Sequence, residues 1–398
     1  MNFSTRTDFF TEKNALSLEK RKHLEAGKQV IDLSESNPTR AGIVLGEERI
    51  REAFDVAANS LYEPNPRGLP KARIDIAKRL MQQKKRVDPE TLFLTASTSE
   101  AYSYIFKLLC SPGDSILVPK PGYPLFDHLA TLESVHPIGY RLEYNHPFGW
   151  CIDIESIKNA IESGQGRRIK AIVLINPNNP TGSYVKQGEL DKIINICMHN
   201  DLAIISDEVF HGFSVAPHID APSLYGLEAV LTFTLDGFSK RLCLPQMKLG
   251  WISLSGPGRL VAKAVEGLEI ICDTFLSAGT PVMNASGMLL EAEDGVLSTV
   301  RDRMQKNLAT YSEVLEYSSS PHRVLTCEGG WTALIQSPGF ASEETLALEL
   351  LRKEGIYVQP GHYFDMDREA FFAFSLILEP SIARHAALGY DKFFREFH

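Results

Sequence analysis

The stretch Thr234-Leu235-Asp236-Gly237-Phe238-Ser239-Lys240 carries the most distinctive chemistry in the chain. The apolar run Ala229 to Leu235 predicts a strand, which enters a small-residue turn ending in one lysine. A lysine at a strand end can be held near a buried site. Desolvation depresses its pKa, and the neutral amine can then attack a carbonyl. The bland alternative is a solvated surface residue, the usual fate of lysine. Lys248 and Gly250 follow, and Leu249 to Leu254 predicts another strand.

Four more stretches place reactive residue types at strand ends. Leu92 to Thr95 predicts a strand, and apolar spacing from Ala101 onward predicts a helix. Ser97, Thr98 and Ser99 stand between them. Helix capping explains hydroxyls there. A phosphate cradle explains them too, because free N–H groups and the positive helix end attract an anion. Pro121-Gly122-Tyr123-Pro124 predicts a tight turn, where Tyr123 either anchors the loop or offers its face to a flat ring. The unbroken apolar run Ala171 to Ile175 predicts a strand buried on both faces, ending in Asn176-Pro177-Asn178-Asn179-Pro180-Thr181-Gly182. Leu202 to Ser206 predicts another, delivering Asp207-Glu208 at its carboxyl end. A carboxylate there either caps a loop or serves a site, since ligands of open α/β sheets gather outside the strands' carboxyl ends.

Strand–helix alternation over residues 92–254 implies an α/β fold with a mainly parallel sheet. A long helical pattern from Gly279 to about Tyr317, then short strands alternating with helices, predicts a second, smaller α/β domain. The expected division is a large domain over 45–280 and a small one over 281–398, joined by 1–44. With 398 residues the chain can bury a large core. The net charge of −9 and the lack of a long basic run argue against nucleic acid. Six cysteines are scattered singly without metal-ligand spacing. They read as reduced thiols in a cytoplasmic protein with no metal. Met1 to Lys13 lacks the apolar core of a signal peptide, and no apolar run approaches membrane-spanning length.

The ordered set resembles the class I/II aminotransferases, fold type I enzymes dependent on pyridoxal 5'-phosphate (PLP). The resemblance runs from Ile31 to about Leu378. Its most specific parts are Asn179-Pro180-Thr181-Gly182, Asp207-Glu208, and Ser239-Lys240 followed by Lys248-Leu249-Gly250. It implies that Lys240 forms a Schiff base with PLP and later moves a proton, and that Asp207 pairs with the protonated pyridine nitrogen. Asn179 would bond the ring phenolic oxygen and Tyr123 would stack on the ring. Ser97, Thr98 and Ser99 would hold the phosphate, with Ser239 and Lys248 in the lysine motif beside them. Tyr62, in the loop Leu61 to Pro70, matches a tyrosine that reaches the phosphate of a neighbouring subunit. That match implies a homodimer with shared active sites, acting on an amino donor and a keto-acid acceptor.

The chain departs from the family pattern at four positions. Lys248 replaces an arginine, losing the bidentate fork for phosphate. Gly237 replaces a hydroxyl residue and Phe210 a tyrosine. In Phe371-Phe372-Ala373-Phe374-Ser375, Ala373 stands where the family keeps its carboxylate-binding arginine. Arg40, after Ser36-Asn37-Pro38-Thr39, is the expected substitute, with Asn37 also facing substrate; Arg384 is a second candidate. A β-eliminating C–S lyase or another α-carbon lyase would use the same lysine and aspartate. Cycling of the cofactor to pyridoxamine phosphate separates the two. A PLP-binding regulator is the remaining alternative.

Overall fold

The computed structural model describes residues 3–7, 14–57, 61–163, 168–216, 221–317, 320–368 and 370–397. Eight strands form the main sheet: β1 (Leu92–Thr95), β2 (Ser115–Lys120), β3 (His136–Asn145), β4 (Gly149–Ile152), β5 (Ile169–Ile175), β6 (Ala203–Asp207), β7 (Thr232–Gly237) and β8 (Gly250–Ser255). Their spatial order is β1-β8-β7-β6-β5-β2-β3-β4. The central run β7-β6-β5-β2-β3 is parallel throughout. β8 is antiparallel to both its neighbours, so β1 and β7 point the same way. The carboxyl ends of β1, β2, β5, β6 and β7 therefore share one edge with the start of β8.

The apolar runs in the sequence reflect burial on both faces of this sheet. In β5, Ala171, Val173 and Ile175 pack with Phe93, Ile105, Ile205 and Leu235 on one face. Ile172 and Leu174 pack with Leu117, Ile193 and Ile204 on the other. Each fully buried Val, Leu, Ile or Phe among them contributes about 1.5–3 kcal/mol. One face is covered by the helices Thr98–Leu109 and Gly258–Phe275, the other by Ile154–Glu162 and Gln187–Asn200.

Four strands build a second, antiparallel sheet: β9 (Arg323–Val324), β10 (Thr332–Gln336), β11 (Gln359–Pro360) and β12 (Phe371–Ser375), in the order β9-β10-β12-β11. Phe372 and Phe374 of β12 pack with Tyr311, Tyr390, Phe393 and Phe394 of its helices. The short strand Ile31–Asp32 pairs in parallel with Ile356–Tyr357. Among the described residues no helix is long and apolar enough to cross a membrane.

The structure differs from the sequence reading in several elements. The helical pattern after Gly279 is two helices, Thr280–Leu290 and Glu293–Leu315. The break at Glu291-Ala292 lets Glu293 turn fully inward, where it pairs with Arg79 and Arg241. The hairpin β3–β4 and the helices Leu125–Leu132, Ile154–Glu162 and Gly258–Phe275 have no counterpart in that reading.

Candidate active site

The lysine is presented by a single helical turn, Phe238–Arg241, at the end of β7. Arg241 fixes that turn from behind. Its guanidinium is buried against Asp236 and Glu293, and Glu293 in turn binds Arg79 at 2.8 Å and Gln83 at 2.6 Å. Lys240 points the other way. Its Nζ donates to the Ser36 carbonyl at 3.3 Å and lies over the rings of Trp331 (4.7 Å to the centroid) and Phe210 (5.5 Å). Burial pulls its pKa down from 10.5 to about 8. Lys240 is half-buried, and burial is the largest cause of that shift.

Asp207 ends β6, beside β7 and β5, with Ile175 and Leu235 opposite it in register. Oδ2 accepts from the Tyr102 hydroxyl at 3.0 Å and Oδ1 from the Val209 N–H at 3.2 Å. Burial raises its pKa from 3.8 to about 6, and the fields of Asp236 and Glu208 add to that. Glu208 plays the other role foreseen for this pair. It is fully buried and ties down a loop, accepting from Ser223 Oγ and the Leu224 N–H at 2.7 Å each and from Lys85 at 3.2 Å.

The junction after β1 caps a helix and keeps donors in reserve. Ser97 Oγ accepts from the Glu100 N–H at 3.2 Å, the N-cap of Thr98–Leu109. The hydroxyls of Thr98 and Ser99 have no protein partner among the described residues. Glu100 accepts from the Ala96 N–H at 2.7 Å and from Ser277 Oγ at 2.6 Å, bracing this end. The start of β8 closes in beside it: a Cβ on Gly250 would stand 3.3 Å from the Ser97 carbonyl carbon and from Thr95 Oγ1.

The asparagine loop sorts its members. Asn176 bonds the Val185 N–H and the Pro222 carbonyl, and Asn178 donates to the Pro121 carbonyl and Thr181 Oγ1. Asn179 is half-buried and is spent on no such contact among the described residues. Tyr123 is 45% exposed, edge-on to Phe126, and feels the charge of Asp207. The turn before it requires glycine: a Cβ on Gly122 would sit 2.3 Å from the Pro119 carbonyl oxygen.

The other expected residues differ in exposure and in what engages them. Tyr62 is 64% exposed on its loop. Ser239 is half-buried, and Lys248 is exposed with φ +52°. Asn37 Oδ1 is occupied by its own turn, accepting from the Thr39 N–H and Oγ1. Arg40 is exposed, and no ion pair engages it among the described residues. Arg384 is bound to Glu313 at the surface. One departure from the family pattern, Gly237, has a physical basis in the packing. A Cβ on Gly237 would come within 2.9 Å of Gly250 Cα and the Leu249 carbonyl oxygen. Phe210 packs edge-on against Trp331 at 5.3 Å. Tyr102, Trp331 and the Ser36 carbonyl escaped the sequence reading. A tyrosine one turn after the hydroxyl cluster was the only signal for Tyr102.

This donor set fits PLP. Asp207 is a buried carboxylate whose hydrogen-bond donors among the described residues are both uncharged, suited to a pyridinium. Lys240 offers an amine to an aldehyde. Spare hydroxyls at a helix N-terminus suit a phosphate.

The family model for aminotransferase class I and II matches residues 28–379. Among curated proteins, the chain is 28% identical over 373 residues to glutamate-pyruvate aminotransferase AlaA of Haemophilus influenzae, covering 89% of this chain and 86% of that one. It is 26% identical to alanine aminotransferase of Mycobacterium bovis, covering 86% and 80%. Among solved structures, alanine aminotransferase from Pyrococcus furiosus superposes with a TM-score of 0.88 at 24% identity, covering 99% of this chain and 100% of that one. Aspartate aminotransferase from Thermotoga maritima gives 0.84 at 20% identity, covering 99% and 100%. With the match running over most of its length and onto the same architecture, the chain belongs to the class I and II aminotransferases and is an aminotransferase enzyme of fold type I.

Proposed function

We propose that this aminotransferase uses PLP to move an amino group between an amino acid and a keto acid, with Lys240 as its attachment point and proton carrier. The carrying observation is the placement of a desolvated lysine amine at one strand end, a buried carboxylate at the next, and a helix N-terminus with spare hydroxyls on the same edge. When bound, the cofactor supplies an electron sink for charge developing at the substrate α-carbon. Asp207 holds a proton on the ring nitrogen, since an opposite charge in contact favours both charged forms. Asn179 and Tyr123 would orient and cover the cofactor ring. Ser97 to Ser99, Ser239 and Lys248 serve the phosphate. Lys240 Nζ would hold the cofactor and carry the proton taken from the substrate α-carbon.

The substrate carboxylate falls to Arg40. Ser375, two residues from Ala373 on the same face of β12, donates through Oγ to the Glu35 carbonyl at 2.7 Å. The next residue, Ser36, accepts from Lys240. The segment bearing Arg40 thus crosses the face where Ala373 leaves no fork. Exposure of Tyr62, and of Ile270 and Phe275 on the helix Gly258–Phe275, supports a homodimer in which Tyr62 reaches the phosphate site of the second copy. Pairing of Ile31–Asp32 with Ile356–Tyr357 supports grouping 1–44 with 281–398 as a small domain beside a large one over 45–280. Six free cysteines suit a cytoplasmic setting.

Borohydride reduction of the purified protein followed by peptide mapping tests the core of this assignment. The expected adduct sits on Lys240; an adduct elsewhere, or none, refutes it. A panel of amino acids should convert the bound cofactor to pyridoxamine phosphate. Ammonia and a keto acid without that conversion would make the chain a lyase.

A further inference from the structure

The helix Thr98–Leu109 reaches the site twice. Its N-terminus presents Thr98 and Ser99, and one turn later Tyr102 sends its hydroxyl to Asp207 Oδ2 at 3.0 Å. One helical turn advances about 5.4 Å, so a single rigid element spans from the phosphate end toward the ring-nitrogen end. Tyr102 is only 3% exposed, and its ring is wedged edge-on against Phe126 at 5.1 Å and beside Phe106 at 5.9 Å. Such a wedge fixes where the hydroxyl points.

We propose that Tyr102 is a positioning residue for the reaction: its hydroxyl holds the Asp207 carboxylate in the ionised form and in the orientation that faces the ring nitrogen. The inference rests on the assignment of Asp207 above. The groups around that carboxylate make the need plain. Asp236 and Glu208 push it toward protonation, as does burial. Tyr123 is a neutral phenol on the open side. The Lys240 amine is partly neutral. The Val209 N–H and the Tyr102 O–H are the donors that favour the charged form. A phenol so deeply buried does not ionise, because both burial and Asp207 raise its pKa. It therefore remains a donor at every working pH. Asp207, which ends β6, and Tyr102, on the helix, are held in register by this one bond.

The test is a carboxyl-carbon NMR titration of the cofactor-free full chain labelled at aspartate, with Asp207→Asn identifying the signal. The wild-type midpoint is expected near 6. Tyr102→Phe should move it up by about one pH unit, the size of one lost hydrogen bond to a charged group. In the loaded enzyme the same variant should lower kcat about tenfold or more with KM little changed. Site-specific replacement of Tyr102 by a fluorotyrosine keeps the shape and strengthens the donor, so the midpoint should move down. An unchanged midpoint in both folded proteins would overturn the proposal and leave Tyr102 a packing residue. A shifted midpoint with unchanged kcat would instead overturn the assignment of Asp207.

Discussion

The amine of Lys240 lies 4.7 Å from the centre of the Trp331 ring, while the carbonyl it bonds belongs to Ser36, far away in sequence. Three parts of the chain thus meet at one nitrogen. Ring faces favour the charged amine, yet burial outweighs them and sets its pKa at about 8. The amine is mostly charged at pH 7 and mostly neutral at pH 9. In the cofactor-free chain, the rate of Lys240 capture by an aldehyde should rise about tenfold between those values and then level off. A rate still climbing steeply above pH 10 would mean an ordinary, solvated lysine.

Asp207→Asn should separate stability from activity. Burial raises the carboxyl to about 6, above its unfolded value of 3.8. Ionised Asp207 therefore costs the cofactor-free fold stability above about pH 6. That cost fades as the pH falls through 6 toward the ordinary value of about 4. The variant lacks this term, so its melting temperature should gain on the wild type between pH 5 and pH 8. Its turnover should fall by orders of magnitude, because the ring-nitrogen proton loses its counter-ion. Near-normal turnover would refute the role.

Behind the lysine, Glu293 is fully buried between Arg79 and Arg241. Removing one partner of a buried ionic network strands the others and costs about 3–5 kcal/mol. Glu293→Ala should therefore unfold at markedly lower urea than the wild type. Because Arg241 anchors the turn that carries Lys240, the folded fraction should also capture PLP more slowly. A variant with unchanged midpoint in urea would show that this network carries no stability.

The parts of this candidate site that could be proposed from the sequence are those tied to local pattern. Runs such as Ala171 to Ile175 are apolar because both sheet faces bury them, so the strand and the loop at its end can be read together. Asp207 and Lys240 follow from such strands. Tyr102 could not be found that way: on a helix, a tyrosine facing a core looks the same whether or not its hydroxyl meets a carboxylate 105 residues away. Trp331 and Ser36 join Lys240 only through the second sheet and the N-terminal segment. The hairpin β3–β4 is hidden because β3 mixes exposed, half-buried and buried positions, so no continuous apolar run marks it.

The substrate carboxylate gives the sharpest contrast between two arginines. Arg384 is held by Glu313 on an exposed helix face. Arg40 has no such partner among the described residues, and it follows the turn whose Ser36 carbonyl meets Lys240. Ala373 on β12 provides no charge, and its neighbour Ser375 is committed to the Glu35 carbonyl. A planar guanidinium on a carboxylate contributes about 2–5 kcal/mol. Arg40→Ala should therefore raise KM for the true amino donor at least about 30-fold, with a smaller change in kcat. Arg384→Ala should leave both within about twofold, as expected for an exposed pair. Alanine, aspartate and glutamate should react slowly with the wild type if Ala373 stands at the position of the arginine fork for an α-carboxylate, as proposed above. Single-turnover measurements on the two variants and the wild type decide this. Fast half-reactions with those amino acids, unchanged in Arg40→Ala, would remove Arg40 from the site and require another cation to hold the carboxylate.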